Sequence, residues 1–360
     1  MFQPKPLNTL NQVILDGYIL PSKYILGPAI KIVLLLTSAY GSVFQLSWIS
    51  IHLFRTCRYT TKILLFQCLH NSLDVIILLC TCLMVLFGFN MNHFRKFIST
   101  IQLALETDRY AVRGIKKNRR IIRVLLTVAF IIFAIMYIIT VRALSIHTDN
   151  IFVFILRFFH AALFRFGSLF HLNMICNMCF FLKAAFNQIN SQINDLNTTT
   201  HRSLDHLFYK IRDLRQKYSY AVRSTQSAEQ LFRWYITRFY MEYFSYITMN
   251  IVMSFGPKTS INFVWLIFML IDTILFILLT YNLVSVNNLS REGLEDLYEL
   301  SFKLNKFESC HENDIFIARM ALSDVGFTFA NLFSINNSFI TSLFTLSLTI
   351  IITLASFIYQ

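Results

Sequence analysis

Apolar residues in this chain gather in long runs instead of alternating with polar ones. Seven runs are long enough to cross a bilayer as helices, which takes about 20 mostly apolar residues. They cover 28–50, 63–89, 121–143, 152–182, 236–255, 262–286 and 338–360. Lipid tolerates no unpaired backbone, and these runs exceed what barrel strands need, so the pattern predicts helices. The expected fold is all-α: a polytopic membrane protein with seven transmembrane helices, forming a single unit over 1–360.

The connections between runs differ sharply in charge. Segments 90–120 and 183–235 carry eight Lys/Arg each and 287–337 carries four, whereas 51–62 has three, 144–151 none and 256–261 only Lys258. Lys/Arg-rich connections belong on the cytosolic side. This predicts a cytosolic amino terminus and an extracellular carboxyl terminus. The first 24 residues, with Pro4, Pro6 and Pro21 but no basic-then-apolar leader, predict no cleavable signal peptide.

Two basic connections have an apolar stripe at helical spacing. Leu204, Leu207, Ile211 and Leu214 form one; Leu294, Leu297, Leu300, Leu304 and Phe307 form the other. A solvated surface helix needs no such stripe, so both predict packing in a cytosolic helical bundle. The second set supplies candidate subunit contacts.

Composition agrees with the membrane reading. The chain is 56% hydrophobic and 14% charged, against about 25% charged residues in a soluble domain. A soluble enzyme is not expected. The net charge of +13 lies mostly on the connections assigned to the cytosol, where it suits an anionic leaflet, so the bilayer and not nucleic acid is the expected partner. Most of the seven cysteines lie in apolar runs and read as small packing residues. Cys176 and Cys179 form a CxxC with no second pair, so neither a metal site nor a cofactor is expected. The glycosylation sequons at Asn197, Asn288 and Asn336 fall on the cytosolic side or enter a span, and are expected to stay unmodified.

Several short motifs suggest chemistry without sufficient context. The Asp-Arg-Tyr at 108–110 matches a triplet of G-protein-coupled receptors, but only two spans precede it here. His70 and Asp74 share a helical face as in His-x-x-x-Asp acyltransferases, yet nothing else in the chain builds a catalytic site. Ionisable residues inside a membrane mark function or pairing. Arg157, Arg165, His160 and His171 lie in the fourth run, Glu242 in the fifth and Asp272 in the sixth, so opposite charges in neighbouring spans can pair. With the expected orientation, His70, Asp74, Tyr137, Arg157, His160, Trp265 and Asp272 fall in the outer half or near the midplane. An aromatic pocket with few polar groups suits a small organic ligand.

The last run carries the clearest pattern. Ser338, Ser342, Thr345, Thr349, Thr353, Ser356 and Gln360 recur every three or four residues, so one polar stripe runs along an otherwise apolar helix. Spacing leaves two explanations open. Small hydroxyl residues make helix–helix contacts, and several such helices around an axis line a pore without fixed charge.

"LFSINNSF" at 332–339 followed by "TLASFIYQ" at 353–360 resembles the carboxyl-terminal signature of insect gustatory receptors. That signature runs Thr-Tyr, five apolar residues, then Gln-Phe. Thr353 and Gln360 match, 355–359 fill the five places with Ser356 as a polar exception, and Leu354 stands where the signature has tyrosine. No residue follows Gln360 to match the final phenylalanine. The resemblance implies a relative of insect odorant receptors, a tetrameric ligand-gated cation channel in the plasma membrane of sensory neurons. It implies that Thr345, Thr349, Thr353, Ser356 and Gln360 line the pore, and that each subunit holds a small-molecule tastant in an outer pocket. Monovalent and divalent cations and other gustatory receptor subunits, identical or different, are the implied partners. No acidic ring lies along the last run, so strong divalent selectivity is not expected. A bitter or otherwise specialised tastant is the expected ligand class. The alternatives are a G-protein-coupled chemoreceptor, which requires an external amino terminus, and a secondary transporter, which requires internal repeats and broken helices that the sequence lacks.

Overall fold

The computed structural model describes residues 88–105, 109–144, 151–198, 204–254, 263–322 and 325–359, with scattered positions between 72 and 84. The expected spans at 28–50 and most of 63–89 lie outside the described residues.

Helix α1 (Met91–Ala104) starts at Asn90, whose side chain accepts from the Asn92 N–H at 3.0 Å. This satisfies one of the donors a helix start leaves open. Its apolar face, Phe94, Phe97, Ile101 and Ala104, is buried. α2 (Arg109–Leu144) contains the expected 121–143 run. Arg109 and Tyr110, from the Asp-Arg-Tyr triplet, open this helix instead of closing one.

α3 (Ile151–Thr198) and α4 (Leu204–Ser254) have 48 and 51 residues. At 1.5 Å per residue each is about 70 Å long or more, over twice the apolar thickness of a bilayer. Residues 183–198 and 204–235, expected as a connection, are therefore continuous with these two helices. Ile189, Ile193 and Leu196 of α3 and Ile211, Leu214 and Tyr218 of α4 share one buried core there. The stripe read at 204–214 fills this core: Ile211 and Leu214 are buried, Leu207 packs against them, and the Leu204 side chain lies outside the description. α1 lies along α4 and completes this part of the bundle.

α5 (Phe263–Leu289) runs parallel to α3, and a tight turn leads into α6 (Leu294–Ser301) and α7 (Phe307–Ala321). The second stripe also packs inside the chain. Leu297, Leu300 and Leu304 are buried and Leu294 packs on the same core, so these leucines are not free for a neighbouring subunit. Phe307, the fifth member, is 85% exposed. The difference is one of phase: Leu297 and Leu300 face α3 and α7, whereas Phe307 starts a new helix with its own orientation. Polar side chains lock the corner. Asn313 donates to the Leu297 carbonyl at 3.0 Å, Asn197 donates to Glu299 at 2.7 Å, and Arg215 pairs with Glu312.

A short hairpin follows, β1 (Thr328–Phe329) antiparallel to β2 (Phe333–Ser334), and leads into α8 (Asn337–Tyr359). Ala330 and Asn331 turn it with φ of 53° and 62°, a left-handed conformation that side chains other than glycine rarely adopt. It is the one departure from helix among the described elements. By length and composition, three stretches of the described residues suit a membrane crossing: Arg165–Thr198, Leu266–Ser301 and Asn337–Phe357.

Candidate functional site

α8 has two unlike faces. Phe339, Ile340, Leu343, Ser347, Ile350, Ile351 and Leu354 are half-buried against the rest of the chain, while Ser338, Ser342, Thr345, Thr349, Thr353 and Ser356 are exposed. With 3.6 residues per turn, the centres of these two sets lie roughly 145° apart around the helix. The polar stripe therefore lies on the side turned away from the chain's own body, beside the exposed Leu348 and Ile352. No residue in the hydrophobic window of this helix is buried.

The hydroxyls along the stripe are oriented by the helix itself. Thr341, Thr345, Thr349 and Thr353 each donate to the carbonyl four residues earlier, at 3.0, 3.0, 3.0 and 2.8 Å. With the proton turned inward, a threonine oxygen offers only its lone pairs to whatever faces it. Sequence spacing omitted Thr341; its place four residues before Thr345 was the available signal. Gln360 lies outside the described residues.

The base of α8 is held by the hairpin. Thr328 donates to Glu229 of α4, and the Ala330 N–H donates to Thr237 of α4 at 2.8 Å. Glu229 also receives two hydrogen bonds from Arg233, at 2.6 and 2.7 Å. These hold the Arg233 guanidinium above its usual pKa range. On the other side, Asn287 of α5 donates to the Val325 carbonyl at 2.6 Å. Tyr240 of α4 packs edge-on to Phe329 and Phe339, across the junction of hairpin and helix. No sequence motif marked Glu229, Thr237 or Asn287, because each acts through residues far away in the chain.

A second polar group lies among α2, α3 and α5. Arg165 and Asp272 form a two-pronged ion pair, at 2.8 and 3.3 Å. Phe133 of α2 lies under the guanidinium at 4.7 Å and packs against Phe268 of α5. Two charges in an apolar layer are tolerable when they neutralise one another with good geometry and an aromatic face to lean on. Asp272, read from the sequence as a pocket residue, thus takes the pairing role open to intramembrane charges. Glu242 pairs within α4, to Arg238 at 2.9 Å. Arg238 also donates to the Ser168 hydroxyl at 2.9 Å, and Tyr235 donates to the Ser168 carbonyl. His171 stacks on Tyr235 and bonds the Gly167 carbonyl through Nδ1.

The remaining pocket candidates separate into two groups. His70 and Asp74 lie outside the described residues. Tyr137, Arg157, His160 and Trp265 fall on α2, α3, α3 and α5, with side chains outside the description. α3 and α5 run parallel while α2 runs antiparallel to them, as the pairs Arg165–Asp272 and Lys183–Asn282, and Arg119–Phe181 and Phe130–Phe166, fix. By register these four positions therefore lie on one side of the Arg165–Asp272 layer, one to two helical turns from it.

No family model matches the chain, and neither does any curated protein. Solved structures do. The structure of the insect olfactory receptor OR5 from Machilis hrabei covers 96% of this chain and 97% of its own, with a TM-score of 0.61 and 11% identity. Its complex with eugenol covers 97% of each chain, with a TM-score of 0.58 and 11% identity. This chain has the fold of an insect olfactory receptor. Coverage of nearly the whole of both chains means that the likeness is not confined to one part of the fold. It is a multi-pass helical membrane protein.

Proposed function

We propose that the chain is a subunit of a ligand-gated, non-selective cation channel that serves taste, with a bitter or similarly specialised small molecule as ligand. The observation that carries this reading is the position of the α8 polar stripe, opposite the face that packs on the chain. Hydroxyls facing hydrocarbon gain nothing, whereas several copies of α8 around an axis surround water with them. A tetramer is the assembly expected from the gustatory signature and the olfactory receptor fold, with identical or different subunits.

The chemistry of the stripe suits cations. Its threonine oxygens present acceptors, and no charged residue occurs from Asn337 to Gln360. Such a pore passes monovalent and divalent cations without strong preference. Seven spans, a cytosolic amino terminus and an outer mouth near Gln360 complete the proposed topology, in the plasma membrane of sensory neurons. The ligand would lie outward of the Arg165–Asp272 layer, near Tyr137, Arg157, His160 and Trp265, with His70 and Asp74 contributed by the second span. Phe307 is the member of the second stripe that remains available at a subunit contact. Ligand binding opens the pore only as far as the open arrangement binds the ligand better.

The test is patch recording from cells expressing the chain, alone and with co-expressed chemoreceptor subunits, over a broad panel of tastants. The expected result is a ligand-evoked current that reverses near zero in mixed sodium and potassium. Absence of such a current in every combination contradicts it. Epitope tags at both ends read the topology separately, and an external amino terminus favours the G-protein-coupled alternative.

A further inference from the structure

We propose that the first third of α2 is a binding site for a polyphosphorylated inositol phospholipid of the cytosolic leaflet. The proposal rests on the topology set out above for its choice of leaflet. Arg113, Lys116, Lys117 and Arg120 are all exposed and fall at i, i+3, i+4 and i+7, hence on one side of the helix. Arg123 extends that side by one more turn, about 15 Å from Arg113 along the axis. Gly114 at its flank opens onto empty space. The opposite side is core: Ile115, Ile122 and Leu126 are buried, and Arg119, on that side, is buried with its guanidinium 4.8 Å over the Phe181 ring. The cations at 113–120 are thus a selected face and not a random scatter.

Along that same exposed face the character changes at one level. From Val124 onward it is apolar but for Thr127, with Val128, Ile131 and Ile135 each about half exposed. No charged residue occurs between Arg123 and Arg142, and no carboxylate between Arg109 and Leu144. One helix face therefore offers several cations at headgroup level and a lipid-facing hydrocarbon track immediately beyond. A molecule with a multiply phosphorylated head and acyl chains complements both parts. A soluble polyphosphate complements only the first, and phosphatidylserine supplies too few phosphates for four cations within two turns. Clusters of basic residues beside a span are the usual form of such recognition.

The purified full-length chain, placed in phosphatidylcholine nanodiscs, tests this. The discs carry either phosphatidylinositol 4,5-bisphosphate or phosphatidylserine at equal surface charge, and retained lipid is counted by native mass spectrometry. The wild type should retain the bisphosphate lipid selectively. R113Q/K116Q/K117Q/R120Q should weaken retention by about three orders of magnitude. R95Q/K96Q/R212Q/R223Q removes equal charge from exposed positions elsewhere and should leave it unchanged. Equal retention of both lipids, equal loss in both variants, or full displacement by soluble inositol trisphosphate overturns the proposal. Because the substituted side chains are exposed, unchanged thermal unfolding identifies folded variants; loss of binding in an unfolded variant is replaced by the single changes K116Q and R120Q, each expected to weaken retention about fivefold. Binding is read on whichever side the face lies, so a wrong topology and a wrong lipid site give different results.

Discussion

Arg165 and Asp272 show how much a single pair can decide in an apolar layer. Each is about one-fifth exposed, and each neutralises the other's charge where water is scarce. Removing one leaves the other charge uncompensated, which costs about 3–5 kcal/mol, whereas replacing both with apolar residues of similar size is often close to neutral. Arg165→Met alone and Asp272→Leu alone should therefore lower the thermal unfolding midpoint of the detergent-solubilised chain. The double variant should recover most of the loss. Additive losses would mean that the two residues do not act as a pair. The same logic explains what the sequence could and could not tell at this scale. The charges in the runs were visible as anomalies, but the choice of Arg165 over Arg157 as partner depends on which turn of α3 meets α5.

At the scale of elements, the hairpin before α8 is the joint between the extramembrane bundle and the last helix. Its hold on α4 depends on few bonds, of which the Ala330 N–H to Thr237 is the simplest to remove. Thr237→Val keeps the shape and deletes the acceptor, leaving a half-buried donor unmet at a cost of about 1–3 kcal/mol. Hydrogen exchange at the Ala330 amide should quicken clearly, with exchange in α1 unchanged; no change at Ala330 would remove Thr237 from the joint. The hairpin was invisible in the sequence for a definite reason. Its three-residue loop puts Ala330 and Asn331 at positive φ, where the recognisable signal is a glycine. The leucine stripes, by contrast, were legible because period alone places them on a buried face. Period cannot say what covers that face, and here the cover is the chain itself.

For the whole molecule, seven apolar runs and the charge of their connections gave the class of architecture, and the described helices carry the last five runs. The lengths of α3 and α4 were not legible. Polar composition over 183–235 looks like a connection, but two long helices packed on each other bury enough apolar surface to continue well past the membrane. From Ser338 to Ser356 the α8 stripe was legible apart from Thr341 and its direction, which only packing reveals. That direction underlies the central claim, that α8 lines a pore shared by several copies. Cysteine accessibility tests it most directly, in channels opened by ligand and exposed to a positively charged thiol reagent. With Thr349→Cys and Thr353→Cys the current should fall on modification, while Ile351→Cys, on the packing face, should be unaffected like the wild type. Equal modification at all three positions, or modification at 349 and 353 without change in current, would contradict a pore at α8.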